Sequence, residues 1–280
     1  MRAIYVALLG VCLGMGASNL KAAQIAFDSA GDSAYNTFPT NSYPNGGYGW
    51  GGPWQGYGLL IGSSSLNGFG DPQGTGDINS PRTPAGRAWR VPATLTPDFY
   101  SFVWRQFSSP LLPGQTFAID LDTGANHGPN LPQGFDIAQG VTDFESRTTG
   151  FRFAADPQDY ADYAVGTAQA GYVTSIPLTD QGVHVEVTQL AGSQIGVSIT
   201  SLAPGGASQS LVLPVNVPLT TLTVSNPASG AGFDGENSDL YMNNISITPE
   251  PTSVVMLPLV FAGAALTRRR RFVQQGRIRD

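Results

Sequence analysis

The chain has 280 residues, of which 41% are hydrophobic and only 12% are charged. The low charge excludes a highly charged disordered protein, and 35 Gly with 21 Pro but no three-residue period exclude collagen. Residues 24–248 contain six Arg, no Lys and eighteen Asp plus Glu, a net charge of −12. An acidic region of this kind disfavours nucleic acid as a partner.

Residues 1–23 have the pattern of a secretory signal peptide. Arg2 supplies the positive start, Ala3–Ala17 is apolar and uncharged, and Ala22–Ala23 offers a small-residue cleavage site. The only cysteine, Cys12, lies inside this segment. The sequence therefore predicts an exported protein whose mature part has no disulfide bond and is held together by its own core.

The first part of the body, Asn41–Gly86, is rich in Gly, Pro, Asn and Ser, with interleaved aromatic residues. A flexible linker would not contain so many aromatic side chains, so we expect ordered loops with a short strand at Leu59–Gly62. Tyr48, Trp50 and Trp54 are candidates for stacking on the apolar faces of sugar rings. Packing in a core is the alternative for the tryptophans.

The remainder of the body reads as short strands separated by Gly and Pro turns. Apolar residues alternate with polar ones, which is the period of a strand with one buried face. Candidate strands are Phe99–Phe107, Phe117–Asp122, Gly150–Phe153, Tyr160–Val165, Val183–Thr188, Ile195–Thr200, Leu211–Val217, Leu222–Val224 and Leu240–Ile247. Trp89 and Trp104 are predicted core residues. Because no amphipathic helix interrupts this pattern, residues 24–248 predict one all-β domain, an antiparallel sandwich or barrel.

The body lacks the sequence motifs of common hydrolases. Its three glutamates, Glu145, Glu186 and Glu236, do not form the paired pattern of jelly-roll glucanases, and no Gly-x-Ser-x-Gly motif occurs. The two histidines, His127 and His184, are too few for a histidine-rich metal site. We therefore predict no catalytic residue and no required cofactor.

Four aspartates are weak candidates for a Ca²⁺ site. Asp120 and Asp122 are two positions apart on a predicted strand and share one face, and Asp234 and Asp239 lie close together before the last strand. Carboxylate oxygens are ligands that Ca²⁺ prefers, but the spacing of an EF-hand loop is missing. Solvated carboxylates are the favoured interpretation, and a Ca²⁺ site is the alternative.

The most specific signal in the chain lies at residues 249–272. A Pro-Glu-Pro triplet precedes the apolar stretch Ser253–Leu266, and four consecutive arginines follow that stretch. The triplet is Pro249, Glu250 and Pro251, and the arginines are Arg268, Arg269, Arg270 and Arg271. Apolar residues suit the hydrocarbon core of a bilayer, and arginines stay on its cytoplasmic side. We predict a transmembrane helix that stops at the arginines, with residues 273–280 as a short cytoplasmic tail.

These residues resemble the PEP-CTERM sorting signal of bacterial envelope proteins. The resemblance implies recognition by exosortase, a membrane protease-transpeptidase, and cleavage near the triplet Pro249–Pro251. It also implies an association with exopolysaccharide. On this basis the protein is first anchored in the inner membrane and, after processing, lies at the cell surface or in the extracellular matrix.

The body is similar to the ectodomains of many PEP-CTERM proteins. The likeness rests on Ala26–Ala30 with Tyr35, Asn45–Trp50 with Trp54, Leu112–Gly124, and Asp239–Ile247. Those ectodomains are similar to concanavalin-A-like jelly rolls. The resemblance therefore implies a jelly-roll sandwich in which the first and last strands pair.

Two functions from different classes remain. The favoured hypothesis is a non-catalytic cell-envelope or extracellular-matrix protein that is associated with exopolysaccharide. The alternative is a carbohydrate-active enzyme, a glycoside hydrolase or lyase, on the same scaffold. Carboxylates clustered in a concave cleft would favour the enzyme, whereas scattered carboxylates on a filled sandwich would favour the non-catalytic protein.

Overall fold

A computed structural model describes eleven parts of the chain. They are residues 24–30, 32, 35, 45–57, 88–93, 101–123, 133–142, 149–155, 161–179, 181–227 and 239–249. Apart from Pro249, these residues belong to one compact unit, Gln24–Thr248. None of them forms a helix that is long and apolar enough to cross a membrane. The predicted signal peptide, the apolar stretch Ser253–Leu266 and the arginines Arg268–Arg271 lie outside the described residues, as do Glu250 and Pro251.

The described part of the body forms fourteen strands in two antiparallel sheets. The strands are β1 (Ala26–Asp28), β2 (Gln55–Tyr57), β3 (Trp89–Val91), β4 (Ser101–Gln106), β5 (Thr116–Asp122), β6 (Gln133–Ala138), β7 (Phe151–Ala155), β8 (Asp162–Thr167), β9 (Gly171–Pro177), β10 (Val183–Leu190), β11 (Gln194–Ser201), β12 (Ser208–Pro214), β13 (Thr221–Asn226) and β14 (Leu240–Thr248). Sheet 1 has the order β1-β14-β5-β10-β11-β12, with β3 also paired to β14, and sheet 2 has the order β2-β4-β13-β6-β7-β8-β9. The predicted antiparallel β-sandwich is confirmed.

The period-two patterns predicted most of these strands. In β10, Val183, Val185 and Val187 are fully buried, while His184 and Glu186 lie on the opposite, solvent-facing side. The predicted strand at 211–217 is displaced, because the pairing of β12 with β11 runs from Ser208 to Pro214. None of the strands predicted from periodicity corresponds to β1, β2, β3, β6 or β9, and the predicted strand at 59–62 lies outside the described residues.

The first and last strands pair, as the jelly-roll resemblance implies. In sheet 1, Ala26 lies opposite Ile247 and Asp28 lies opposite Ile245, in antiparallel register. On its other side β14 pairs with β5, where Thr248 lies opposite Thr116. The last strand is therefore an interior strand of sheet 1.

Aromatic side chains from both sheets fill the space between them. The ring of Phe117 in sheet 1 lies 5.9 Å from that of Phe135 in sheet 2, centroid to centroid. Phe135 stacks on Phe153 at 5.5 Å, and Phe153 stacks on Tyr163 at 5.1 Å. All four side chains are fully buried. The core is thus continuous between the two sheets.

In strand β4, the face that contacts the core is the one opposite to the predicted face. Val103 and Arg105 are buried, whereas Phe102 and Trp104 lie on the other face and stack on each other with ring centroids 5.4 Å apart. The prediction of Trp104 as a core residue is therefore wrong, because the strand alternation that buries Arg105 turns Trp104 outward. Trp89, the other predicted core tryptophan, is buried.

Candidate functional site

A buried ion pair between Arg105 and Asp28 joins the two sheets. Arg105 lies on β4 of sheet 2 and Asp28 on β1 of sheet 1, and the two side chains are 1% and 0% exposed. The Tyr35 hydroxyl donates to Asp28 Oδ1 at 2.6 Å, and Trp54 Nε1 donates to Asp28 Oδ2 at 2.7 Å. The carboxylate thus receives donors from three separate parts of the chain, which satisfies a charge that burial alone would make costly.

The ionisation of this cluster follows from its burial. Burial raises the pKa of the Asp28 carboxyl, and the Arg105 guanidinium and the hydrogen bonds from Tyr35 and Trp54 oppose that rise. Burial and the neighbouring Asp28 raise the pKa of the Tyr35 hydroxyl. Tyr35 therefore keeps its proton and acts as a donor.

Arg105 also forms hydrogen bonds with the glycine-rich segment 45–52 and so connects it to the sandwich. Its Nη2 donates to Asn45 Oδ1 at 3.1 Å and to the Gly46 carbonyl at 2.8 Å, and its Nε donates to the Gly52 carbonyl at 3.1 Å. The guanidinium carbon lies 5.0 Å from the ring centroid of Trp50. All three guanidinium nitrogens are bonded, which is a geometry that the single ammonium of lysine cannot reproduce.

Two glycines let this segment lie flat against β1. Gly47 and Gly49 have φ of +70° and +80°. A Cβ at these positions would lie 2.2 Å from the Phe27 carbonyl oxygen and 2.1 Å from the Ile25 carbonyl oxygen. Only glycine tolerates both the positive φ and the close approach. The Asn-Gly-Gly-Tyr-Gly-Trp sequence is therefore explained by packing.

The three predicted sugar-stacking residues have different environments. Tyr48 is 52% exposed and lies beside Phe27, with ring centroids 6.4 Å apart. Trp50 is half-buried, donates from Nε1 to the Phe27 carbonyl at 3.2 Å and packs 5.8 Å from the Phe107 ring. Trp54 is only 1% exposed, so its ring belongs to the core and not to a sugar-binding surface. Of the three, Tyr48 is the side chain that a ligand in solvent can reach most fully.

The candidate Ca²⁺ ligand Asp120 is part of a hydrogen-bonded cluster on the outer face of sheet 1. His184 Nδ1 lies 2.5 Å from Asp120 Oδ1, and Asn244 Nδ2 donates to Asp120 Oδ2 at 2.6 Å. Asn244 sits in a bulge of β14 with φ of +49°, and this conformation accompanies the turn of its amide toward Asp120. The other imidazole nitrogen, Nε2, lies 3.5 Å from Glu186 Oε1. Both Asp120 oxygens are thus occupied by side-chain partners.

Two of the other aspartates proposed for Ca²⁺, Asp122 and Asp239, are described, and both are buried. Asp122 shares the strand face of Asp120, as predicted, but it is fully buried. Asp239 forms an ion pair with Arg90 and accepts a hydrogen bond from the Ala93 amide at 2.8 Å. Asp234 lies outside the described residues. Within the described ranges, no group of three His, Cys, Asp or Glu side chains could hold a metal ion.

The arginines of the described body share one role. Arg90, Arg105 and Arg152 each pair with a buried aspartate, respectively Asp239, Asp28 and Asp136. The Asp136 pair is bidentate, with both nitrogen–oxygen distances at 2.8 Å. Sequence analysis missed these pairs. A signal for Arg105 was present, because Ser101, Val103, Arg105 and Phe107 share one face in a strand of period two.

Comparisons with known proteins find similarity in architecture only. No protein-family model matches the chain, and no curated protein matches it either. The legume lectin-like domain from Entamoeba histolytica matches with a TM-score of 0.40 and 11% identity, over 57% of this chain and 82% of that one. The exoplasmic/lumenal domain of VIP36 with Ca²⁺ and Man3GlcNAc has a TM-score of 0.40 and 10% identity, over 58% and 80%. The botulinum neurotoxin serotype D binding domain has a TM-score of 0.38 and 10% identity, over 63% and 42%.

Replacement of Arg105 should strongly destabilise the protein. We expect Arg105→Ala to lower the free energy of unfolding by about 3–5 kcal/mol, because it leaves the Asp28 carboxylate buried without its cation. Arg105→Lys should recover only part of this loss. Urea denaturation measures the change, with Gln55→Ala, at an exposed position of β2, as the control, expected within about 0.5 kcal/mol of the parent protein. An Arg105→Ala variant as stable as that control would contradict the assigned role.

The Asp120 cluster predicts a pH dependence. The hydrogen bond that His184 makes to the Asp120 carboxylate raises the pKa of His184 above its ordinary value of 6.5, against the opposing effect of partial burial. Because the folded pKa exceeds the unfolded one, the interaction stabilises the fold at pH below 6.5, and this contribution is lost as the pH rises through the folded pKa.

An NMR titration of the two histidines checks this pH dependence. His127→Gln assigns the signals, and Asp120→Asn should shift the His184 pKa downward. An unchanged pKa in Asp120→Asn would refute the coupling.

Proposed function

We propose that the protein is a non-catalytic β-sandwich of the bacterial cell envelope. It is exported by residues 1–23, held in the inner membrane by Ser253–Leu266, and released near Pro249–Pro251 by exosortase. After release it associates with exopolysaccharide at the cell surface or in the extracellular matrix. The sequence pattern at the two ends of the chain supports the export and sorting steps.

The observation that carries the non-catalytic assignment is the pairing of the charged side chains. Asp28, Asp136 and Asp239 are buried and bound to arginines, and both oxygens of Asp120 are taken by His184 and Asn244. A glycoside hydrolase instead requires two carboxyl groups that face the substrate, one of them able to give up a proton. In the described part of the body, these four carboxylates have a structural role, because each of them binds other side chains of the sandwich.

The edge of the sandwich beside β1 is the surface that best fits a sugar ring. Tyr48 is more than half exposed, and its ring adjoins that of the half-buried Phe27. An aromatic ring with one accessible apolar face offers a large contact area to a sugar. If its backbone is already fixed, little conformational entropy is lost on binding. The backbone is fixed here, because Phe27 and Tyr48 exchange two backbone hydrogen bonds of 3.0 and 3.1 Å.

A polysaccharide-binding assay tests the role of Tyr48. We expect Tyr48→Ala to bind exopolysaccharide of the native host about tenfold more weakly, equivalent to about 1.4 kcal/mol. Tyr172→Ala is the matched control, because Tyr172 is a similarly exposed tyrosine on β9. Binding that is equal in the two variants would remove Tyr48 from the sugar contact. Release of reducing ends during the assay would contradict the non-catalytic assignment and favour a carbohydrate-active enzyme.

Sorting is tested with variants at the C-terminal signal. Glu250→Ala should block processing, so the unprocessed chain should accumulate in the membrane fraction. Replacement of Arg268–Arg271 with serine should release protein or change its orientation, because four charges no longer resist translocation at about 2.5–3.5 kcal/mol each. Peptides containing residues 272–277 still joined to the body in mature envelope material would refute cleavage at the triplet.

A further inference from the structure

Both ends of the described body lie at one end of the sandwich. The Ile25 amide donates to the Ile247 carbonyl at 2.8 Å, and Thr248 lies opposite Thr116 at the start of β5. Pro249 follows directly. We call the end of the sandwich at which β14 stops the exit end, because the chain leaves the body there toward its predicted membrane anchor.

Three connections at the exit end lie against one another. They join β4 to β5, β10 to β11, and β12 to β13. Backbone hydrogen bonds of 2.7–2.9 Å hold them together, from Gly114 to Gln189, from Val215 to Ser193 and from Leu111 to Leu219. A cleft of about 300 Å³ lies between them, lined among others by Pro110, Pro113, Leu190, Val217 and Pro218.

The exit end carries no charge in its described residues. Residues 106–116, 188–196, 212–221 and 247–249 are all described and include no Asp, Glu, Lys or Arg. The body as a whole has a net charge of −12. These described ranges therefore lack the negative charge that the body carries on average.

Exposed hydrophobic side chains are concentrated at the same end. Leu112, between β4 and β5, is 52% exposed, and Val212, near the end of β12, is 57% exposed. In sheet 2 the strand register brings the end of β6 and the start of β9 to the level of Thr221, where β13 begins. Val141 and Tyr172 lie next to these two strand ends and are also close to half exposed. Several exposed apolar side chains at one end of a domain indicate an interaction surface.

We propose that the exit end rests on the lipid–water interface of the membrane that holds the unprocessed protein. This inference depends on the proposed C-terminal anchor. Five residue steps separate Thr248 from Ser253 at the start of the apolar stretch, so these two residues are at most about 18 Å apart. An anionic lipid surface repels a body of charge −12, and the three described connections without charged side chains are the part that can approach it with the smallest penalty. Leu112 and the neighbouring prolines then enter the interface.

Depth-dependent fluorescence quenching tests this orientation on the full chain. With Cys12→Ser as the background, single cysteines are introduced as Leu112→Cys or Ala207→Cys and labelled with an environment-sensitive dye. Ala207 is exposed in the β11–β12 connection at the opposite end of β11, about 26 Å away at 3.3 Å per residue. The protein is reconstituted in phosphatidylethanolamine–phosphatidylglycerol vesicles with nitroxide-labelled headgroups.

We expect the label at position 112 to be quenched at least threefold more than the label at position 207. Adding Val141→Glu and Val212→Glu should reduce the quenching at position 112, while circular dichroism shows an intact fold. Equal quenching at the two positions would overturn the inference. Protection of the label at position 112 from solvent that depends on protein concentration and not on lipid would also overturn it. Extraction with alkaline carbonate is measured in parallel. Loss of the protein from the vesicles during this extraction would refute the proposed C-terminal anchor, which the quenching experiment does not test.

Discussion

The guanidinium of Arg105 and the carboxylate of Asp28 are both withdrawn from water, and each charge is tolerated only because the other is present. The pair connects β4 in one sheet to β1 in the other. The same guanidinium binds the backbone carbonyls of Gly46 and Gly52, so the segment that closes the edge of the sandwich depends on it as well. Loss of this one cation would therefore affect both sheets and the edge segment together.

Strand positions could be predicted largely from the sequence, whereas the choice of face could not. Alternation at Val183–Thr188 predicted β10 because one face is apolar and the other polar. In β4 both faces carry large side chains, with Phe102 and Trp104 on one and Val103 and Arg105 on the other. Period alone cannot choose between them, and the prediction of Trp104 as a core residue selected the wrong face. Strand β6 was missed because all its residues are buried, so no polar alternation marks it.

The candidate site was predictable to a smaller extent. Tyr48 and Trp54 appeared equivalent in the sequence because both lie in a region rich in glycine and aromatics. Their difference arises from a contact of Trp54 with Asp28, 26 positions earlier, which draws one ring into the core. The pairing of Asp120 with His184 joins strands 64 residues apart, and no local pattern carries that information. The predicted sorting signal, in contrast, is a local sequence pattern, and it stays a prediction because Glu250–Arg271 lies outside the described residues.

The position of β14 has a consequence for the order of events during folding. This strand lies between β1 and β5, so sheet 1 has a gap at its interior until the strand is in place. A chain that emerges from its N-terminus delivers β1 first and β14 last, more than 210 residues later. Closure of so long a loop is slow, because non-local pairing requires the whole intervening chain to be available. The body therefore completes its fold only after residues 240–248 have been delivered, so the pairing of β14 is a late step in folding.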